Sequence, residues 1–401
     1  MRAFKRIFVP ALVFLFPCLS HAGWVPLNSG TTAYLRSIHF PLDASTGYAV
    51  GPIDTILKTT DGGANWVRQA SGASWLYSVR FPVDAMTGYA VGYLGTILKT
   101  TNGGANWVTQ TSGTSDWLLS VHFPVDVQTG YAVGGLGTIL KTTDGGANWV
   151  SQTSGTTNEL ISVHFPVDAL TGYVVGGTNT PSSIILKTTN GGTNWVSTSG
   201  TTQKLYSVHF PMDASTGYAV GAYGPLLKTT NGGANWDSLS LGPSNWFTSV
   251  YFPLDAQTGY VVGDWGTILK TTNGGTNWVR QTSVSYNILL SVHFPVDALT
   301  GYAVGQNGII LKTTDGGVGV EDNPSSRLTP YASRLTVSPN PFASFATLPG
   351  HEADRFALYD ISGRQVGMYK GDRIGLGLSP GVYFLKDAAG KSSPHRIVKV
   401  R

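Results

Sequence analysis

The chain has 401 residues, a single cysteine and a formal net charge of +4. Cys18 alone offers no disulfide framework, zinc thiolate site or cysteine nucleophile. The excess positive charge lies at the two ends: residues 23–317 carry 12 basic against 15 acidic side chains, which argues against a nucleic-acid partner.

In chain order, the first feature is an export signal over residues 1–22. Arg2, Lys5 and Arg6 precede an apolar run from Ile7 to Leu19, and Ser20-His21-Ala22 forms a small-x-small cleavage site before Gly23. The run is too short to span a bilayer as a helix, so no transmembrane segment is expected in the mature chain. Cys18 falls inside this leader, and Pro17 before it argues against a lipoprotein signal.

From Leu35 to Gly317 one unit repeats seven times, marked by the aspartates of an F-P-x-D step: Asp43, Asp84, Asp126, Asp168, Asp213, Asp255 and Asp297. The spacings are 41, 42, 42, 45, 42 and 42 residues. A period of this length means units that bury their apolar faces only against their neighbours. In the third unit, Leu119–Phe123, Gly130–Gly134, Thr138–Thr142 and Asn148–Gln152 are rich in β-branched and aromatic residues, and each is too short for a helix. Turn chemistry separates them: Pro124 to Gly130, then Thr143-Asp144-Gly145-Gly146 ahead of Trp149. Four antiparallel strands per unit define a propeller blade. The seventh unit stops at Gly317 without its Asn-Trp strand, and Gly23-Trp24-Val25 supplies the missing piece from the other end. An all-β, seven-bladed β-propeller closed by its N-terminal strand follows, because closure removes both exposed edges.

Past Gly317 the pattern ends. Residues 318–333 read as a linker. Residues 334–401 alternate short apolar segments with Gly and Pro turns, as in Leu335–Phe342, Ala357–Arg364, Leu378–Lys386 and Arg396–Arg401, and predict a small Ig-like β-sandwich. These stretches resemble the type A sorting domain of proteins exported by the type IX secretion system, with an Ig-like accessory module without a sorting role as the alternative. The resemblance implies passage across an outer membrane and contact with that secretion machinery.

The block Gly130–Gly146, with its G-Y-A-V-G and T-T-D-G-G elements, resembles the repeat of photosystem II stability and assembly factors. Its T-x-[DN]-G-G-x-x-W element is similar to the Asp-box of bacterial neuraminidase repeats. The first resemblance implies a non-catalytic assembly module, here with a different partner. The second leaves open a glycan-binding protein or glycoside hydrolase.

The Asp-box residues Asp61, Asn102, Asp144, Asn190, Asn231, Asn273 and Asp315 exchange Asp for Asn freely and lack calcium-ligand spacing, so they read as structural turns with no metal. His39, His122, His164, His209 and His293 share one repeat position with Arg80 and Tyr251 and are placed around the central channel, where a ring of histidines offers a metal or an anion a site, although one side chain per blade does not converge readily on a metal. The seven lysines Lys58, Lys99, Lys141, Lys187, Lys228, Lys270 and Lys312 read as solvated or packed along their stems, with pairing to the F-P-x-D aspartates as the alternative. No catalytic residue or cofactor is assigned. The non-repeated acids Asp54, Asp116, Glu159, Asp237 and Asp264 are scattered over different units, and the repeat region holds only four arginines: Arg36, Arg68, Arg80 and Arg280.

The connections that fail to repeat lie on one face and carry Tyr34, Trp75, Tyr77, Tyr93, Trp117, Tyr206, Tyr223, Trp246, Trp265 and Tyr286. Aromatic side chains gathered on a loop face suit a protein or cell-surface glycan partner, with capping of the blade cores as the alternative.

Overall fold

A computed structural model describes residues 23–178, 183–198, 201–240, 246–317, 355–360, 364–370, 373–374, 377–387 and 395–399. The leader at 1–22, the linker at 318–333 and the first segment of the tail lie outside the described residues. The chain divides into two compact units, Met1–Pro324 and Ser325–Arg401.

The first unit contains seven four-stranded antiparallel sheets. In blade 3 the strands are Leu118–His122, Gly130–Gly134, Ile139–Thr142 and Val150–Gln152, hydrogen-bonded in that order. The second strand of every blade is buried along its length, because it is sandwiched between neighbouring blades. A glycine opens it for a steric reason. A Cβ at Gly130 would stand 2.4 Å from the Phe123 ring.

Blade 7 is built from both chain ends. Val25–Leu27 pairs antiparallel with Ile310–Thr313, with Val25 opposite Lys312 and Leu27 opposite Ile310. Trp24 is 2% exposed and packs edge-on against Phe294 at 5.8 Å. It thereby takes the place that Trp149 holds beside Phe123 in blade 3. The Gly23 amide donates to the Asp315 carboxylate at 3.2 Å, so the N-terminal segment also completes the seventh Asp-box.

Between blades the core is an aromatic relay. Tyr131 of blade 3 stacks on Phe165 of blade 4 at 4.0 Å, and Phe165 meets Trp195 edge-on at 6.1 Å. The same triad recurs at every interface, including the closing pair Tyr302 and Phe40. The ring therefore has no blade core that is independent of its neighbour, as the repeat period requires.

The second unit contains one four-stranded antiparallel sheet, ordered Gln365–Lys370, Arg355–Tyr359, Gly381–Asp387 and His395–Lys399. Phe356, Leu358, Ile374, Tyr383 and Leu385 form its core. The expected segment Leu335–Phe342 falls outside the described residues. Among the described residues no helix is long and apolar enough to cross a membrane.

Candidate functional site

The repeated turns all face one side of the ring, and their polar groups are used up in holding it together. Each F-P-x-D aspartate caps its own turn; Asp126 accepts from the amides of Gln128 and Thr129 at 2.9 and 2.8 Å. In the Asp-box, Asp144 accepts from the Thr142 hydroxyl and the Asn148 amide, both at 2.9 Å. Gly145 and Gly146 lie at φ 69° and 86°, the left-handed region this turn requires. The Asn148 amide groups, together with the Thr142 hydroxyl, hold the Asp144 carboxyl down at about 2. Asn102, Asn190, Asn231 and Asn273 make the same threonine and backbone bonds without charge. Asp61 matches Asp144. A role that asparagine fills equally well is a turn role.

The lysines require a correction. They are half-buried against tyrosine rings, and their ammonium groups bond a backbone carbonyl rather than an aspartate. Lys141 Nζ donates to the Gly191 carbonyl of the next Asp-box at 2.8 Å and lies 5.5 Å from the ring centre of Tyr131. The Tyr131 hydroxyl lies 3.0 Å from the same carbonyl and 2.9 Å from that of Ala169. All seven lysines make this bond to the following blade. Tyrosine and lysine sit opposite each other on adjacent strands, and a one-dimensional reading cannot show that both reach the neighbouring unit.

First strands line the channel, as expected from their place in the blade. Ser78 Oγ accepts from the Val121 amide of the next blade at 3.3 Å, and the equivalent bond occurs at all seven interfaces. Two residues further on, His122 Nε2 reaches the Phe165 carbonyl at 3.1 Å. A carbonyl only accepts, so Nε2 carries the proton. His39, His164, His209 and His293 repeat this bond, and Tyr251 substitutes its hydroxyl at 3.3 Å. Burial, followed by the charge of Arg80, drives the pKa of His122 and of His293 down to about 3, which keeps both neutral. Among the described residues no group of three His, Cys, Asp or Glu side chains is placed to hold a metal ion.

The opposite face differs in every blade. Around the channel mouth, each residue just after the buried first-strand leucine or phenylalanine points inward: Arg36, Tyr77, Leu119, Ile161, Tyr206, Thr248 and Leu290 line a cavity of about 350 Å³. Tyr34 and Trp246 also line it. The predicted aromatics fall into two clusters. Trp117 lies 6.3 Å from Tyr77 and 5.5 Å from Tyr93, and Arg36 lies over Tyr77 at 5.5 Å. Across the mouth, Trp246 lies 6.3 Å from Tyr206 and 5.7 Å from Tyr223. Lys204 covers Tyr206 and pairs with Glu159 at 2.6 Å. Trp75 borders a separate cavity beside Tyr34, while Trp265 and Tyr286 stand exposed outside both clusters.

Sequence reasoning missed part of this surface. The tips of the second hairpins expose Ile53, Leu94 and Leu136 at the position that Tyr223 and Trp265 hold in other blades, each at a φ between 52° and 58°. Bulky side chains in the left-handed region carry strain that such a tip must hold in place. The signal was present in the three-residue tip ahead of the third strand, where the middle residue is Ile53, Leu94, Leu136, Tyr223 or Trp265 in five blades.

Of the non-repeated acids, Asp116 and Glu159 border one cavity of about 390 Å³. Asp54 binds Ser71, Asp116 accepts from Thr138 at 2.7 Å, and Glu159 is held by Lys204. Asp264 lies at the base of the Trp265 tip, its carboxyl pushed up by burial.

Fold and turns together define a seven-bladed propeller of the Asp-box kind. The family described as photosynthesis system II assembly factor YCF48 matches residues 16–110, 106–200 and 196–286, and the chain belongs to that family. Among solved structures, YCF48 from Cyanidioschyzon merolae is similar at 21% identity over 73% of this chain and 99% of its own, with a TM-score of 0.61. A structure of YCF48 bound to D1 peptide is similar at 22% identity, covering 77% and 99%, also at 0.61. U3-55K shares the fold at 11% identity, covering 73% and 98%, with a TM-score of 0.62. No curated protein matches.

Proposed function

We propose that the channel mouth captures an extended peptide segment of a client protein, and that the chain is an exported, non-catalytic interaction and assembly module. The observation that carries this reading is the mouth cavity itself. Apolar and aromatic side chains from all seven blades surround it, with Arg36 as the cation at its edge. Aromatic anchors of this kind supply much of the energy of protein recognition, and a cation over an aromatic ring is placed to meet a carboxylate. Family membership supports an assembly role, and the peptide seen on one YCF48 structure supports a peptide as the ligand class. The leader and the sorting-type tail support export, with the tail engaging the secretion machinery.

The exposed rings of Trp265 and Tyr286 favour a second reading, in which flat aromatic platforms bind a cell-surface glycan. Panning a random peptide display library on the full chain, alongside a glycan array, separates the two. Enriched peptides that lose affinity in Tyr77→Ala are expected. Glycan hits without peptide enrichment would overturn the peptide reading.

A further inference from the structure

Arg80 occupies the repeat position that is histidine in five blades and tyrosine in one. Six of these seven side chains bond to the phenylalanine carbonyl of the next blade, and Arg80 does not bond to its counterpart, Phe123. Its Nε is buried without a hydrogen-bond partner. The ring around it is tight: neighbouring side chains from His122 through His164, His209, Tyr251 and His293 to His39 lie 4.8 to 5.1 Å apart, centre to centre.

Arg80 holds the seventh position of this circle. Burial dominates the shifts of the five histidines, which go down, and of Tyr251, which goes up, and the Arg80 charge acts on all six, so it is within electrostatic reach of the whole circle. Among the described residues no carboxylate forms an ion pair with Arg80. The histidines are already committed through Nε2–H to carbonyls, and none supplies a negative charge. Arg80 is half-buried, yet its Nε–H is buried and unpartnered, so a cation partly withdrawn from water lacks full compensation.

We propose that the throat of the propeller is a binding site for one small anion, chloride, phosphate or a carboxylate, held by Arg80. The guanidinium supplies charge and a fork of N–H donors, and the neutral imidazoles set the width of the throat. Ser78 lies two residues earlier on the same face of the strand and adds a hydroxyl toward the same channel. The site lies below the mouth cavity on the same first strands, and it stands whether or not the mouth binds peptide.

Arg80→His restores the side chain that five other blades already use, so this variant keeps the ring intact. Isothermal titration of the full chain with chloride, phosphate and acetate in separate runs tests the proposal, with Arg80→Gln as a second neutral variant. The expected result is saturable uptake of at least one anion at one equivalent per chain, weakened at least tenfold in both variants while their melting curves stay cooperative. Acetate as the only taker assigns the site to a carboxylate; uptake of chloride or phosphate assigns it to inorganic anions. Uptake unchanged in Arg80→His, or no uptake of any of the three by the wild-type chain, would overturn it.

Discussion

On the face where the repeated turns meet, Tyr131 contacts two carbonyls of the next blade, and its six equivalents make the same pair of contacts. On the other face, the equivalent hairpin tips are isoleucine, leucine, tyrosine, tryptophan and asparagine in different blades. Identity among units marks residues whose work is to hold adjacent units together, since every interface sets the same requirement. Variation marks residues released from that requirement. The variable face also gathers exposed aromatic side chains around a cavity, which scaffolding alone does not call for.

Acid should break the repeated side first. An unfolded histidine takes its proton near 6.5, whereas folded His122 and His293 resist until about 3. Below 6.5 the unfolded chain therefore binds more protons than the folded one, so stability present above that pH is lost as pH falls toward 3. Each such histidine costs about 1.4 kcal/mol per pH unit inside this window. Chemical denaturation followed from pH 7.5 to 4.5 should show a steep fall, and a flat profile would mean that the ring is not built on neutral imidazoles.

Closure gives the next largest effect. Trp24→Ala removes a buried anchor from blade 7 and should cost about 3–5 kcal/mol, read as a lowered denaturation midpoint. A loss below about 1 kcal/mol would show that the N-terminal strand is dispensable. A smaller effect is expected at a single clasp. Tyr131→Phe deletes the hydroxyl shared between Ala169 and Gly191 and should cost about 1–2 kcal/mol. Smallest of all, Asn102→Asp should change stability by under about 0.5 kcal/mol, because Asp144 and Asn102 make the same threonine and backbone bonds. A large calcium-dependent rise in melting temperature for this variant would contradict the turn assignment.

Much of the scaffold was legible because it repeats. The period gave seven blades, and the truncated seventh unit against Trp24 gave the closure, since a missing strand must be found elsewhere in the chain. What pattern could not show is which neighbour a side chain serves. Lys141 alternates as a solvent-facing residue would, yet its ammonium crosses to Gly191 in the next blade. The site was half legible. The aromatics were read as loop residues, yet Tyr77 and Tyr206 fall in first strands, as do Leu119 and Ile161, and only the convergence of seven blades makes these and Arg36 one lining. Arg80 was visible as a departure from histidine. Its lack of a counter-charge depends on the closed ring and was not.

The central claim is that the two faces do separable work, and a double dissociation tests it most directly. A peptide selected on the full chain would be titrated against Trp117→Ala and Tyr131→Phe, with the denaturation midpoint of each measured in parallel. The account predicts that Trp117→Ala weakens the peptide by at least tenfold with stability within about 0.5 kcal/mol, whereas Tyr131→Phe loses stability and keeps its affinity. Unfolding of Trp117→Ala with no change in the affinity of the chain that remains folded would contradict it, and would return the aromatic face to the role of capping the blades.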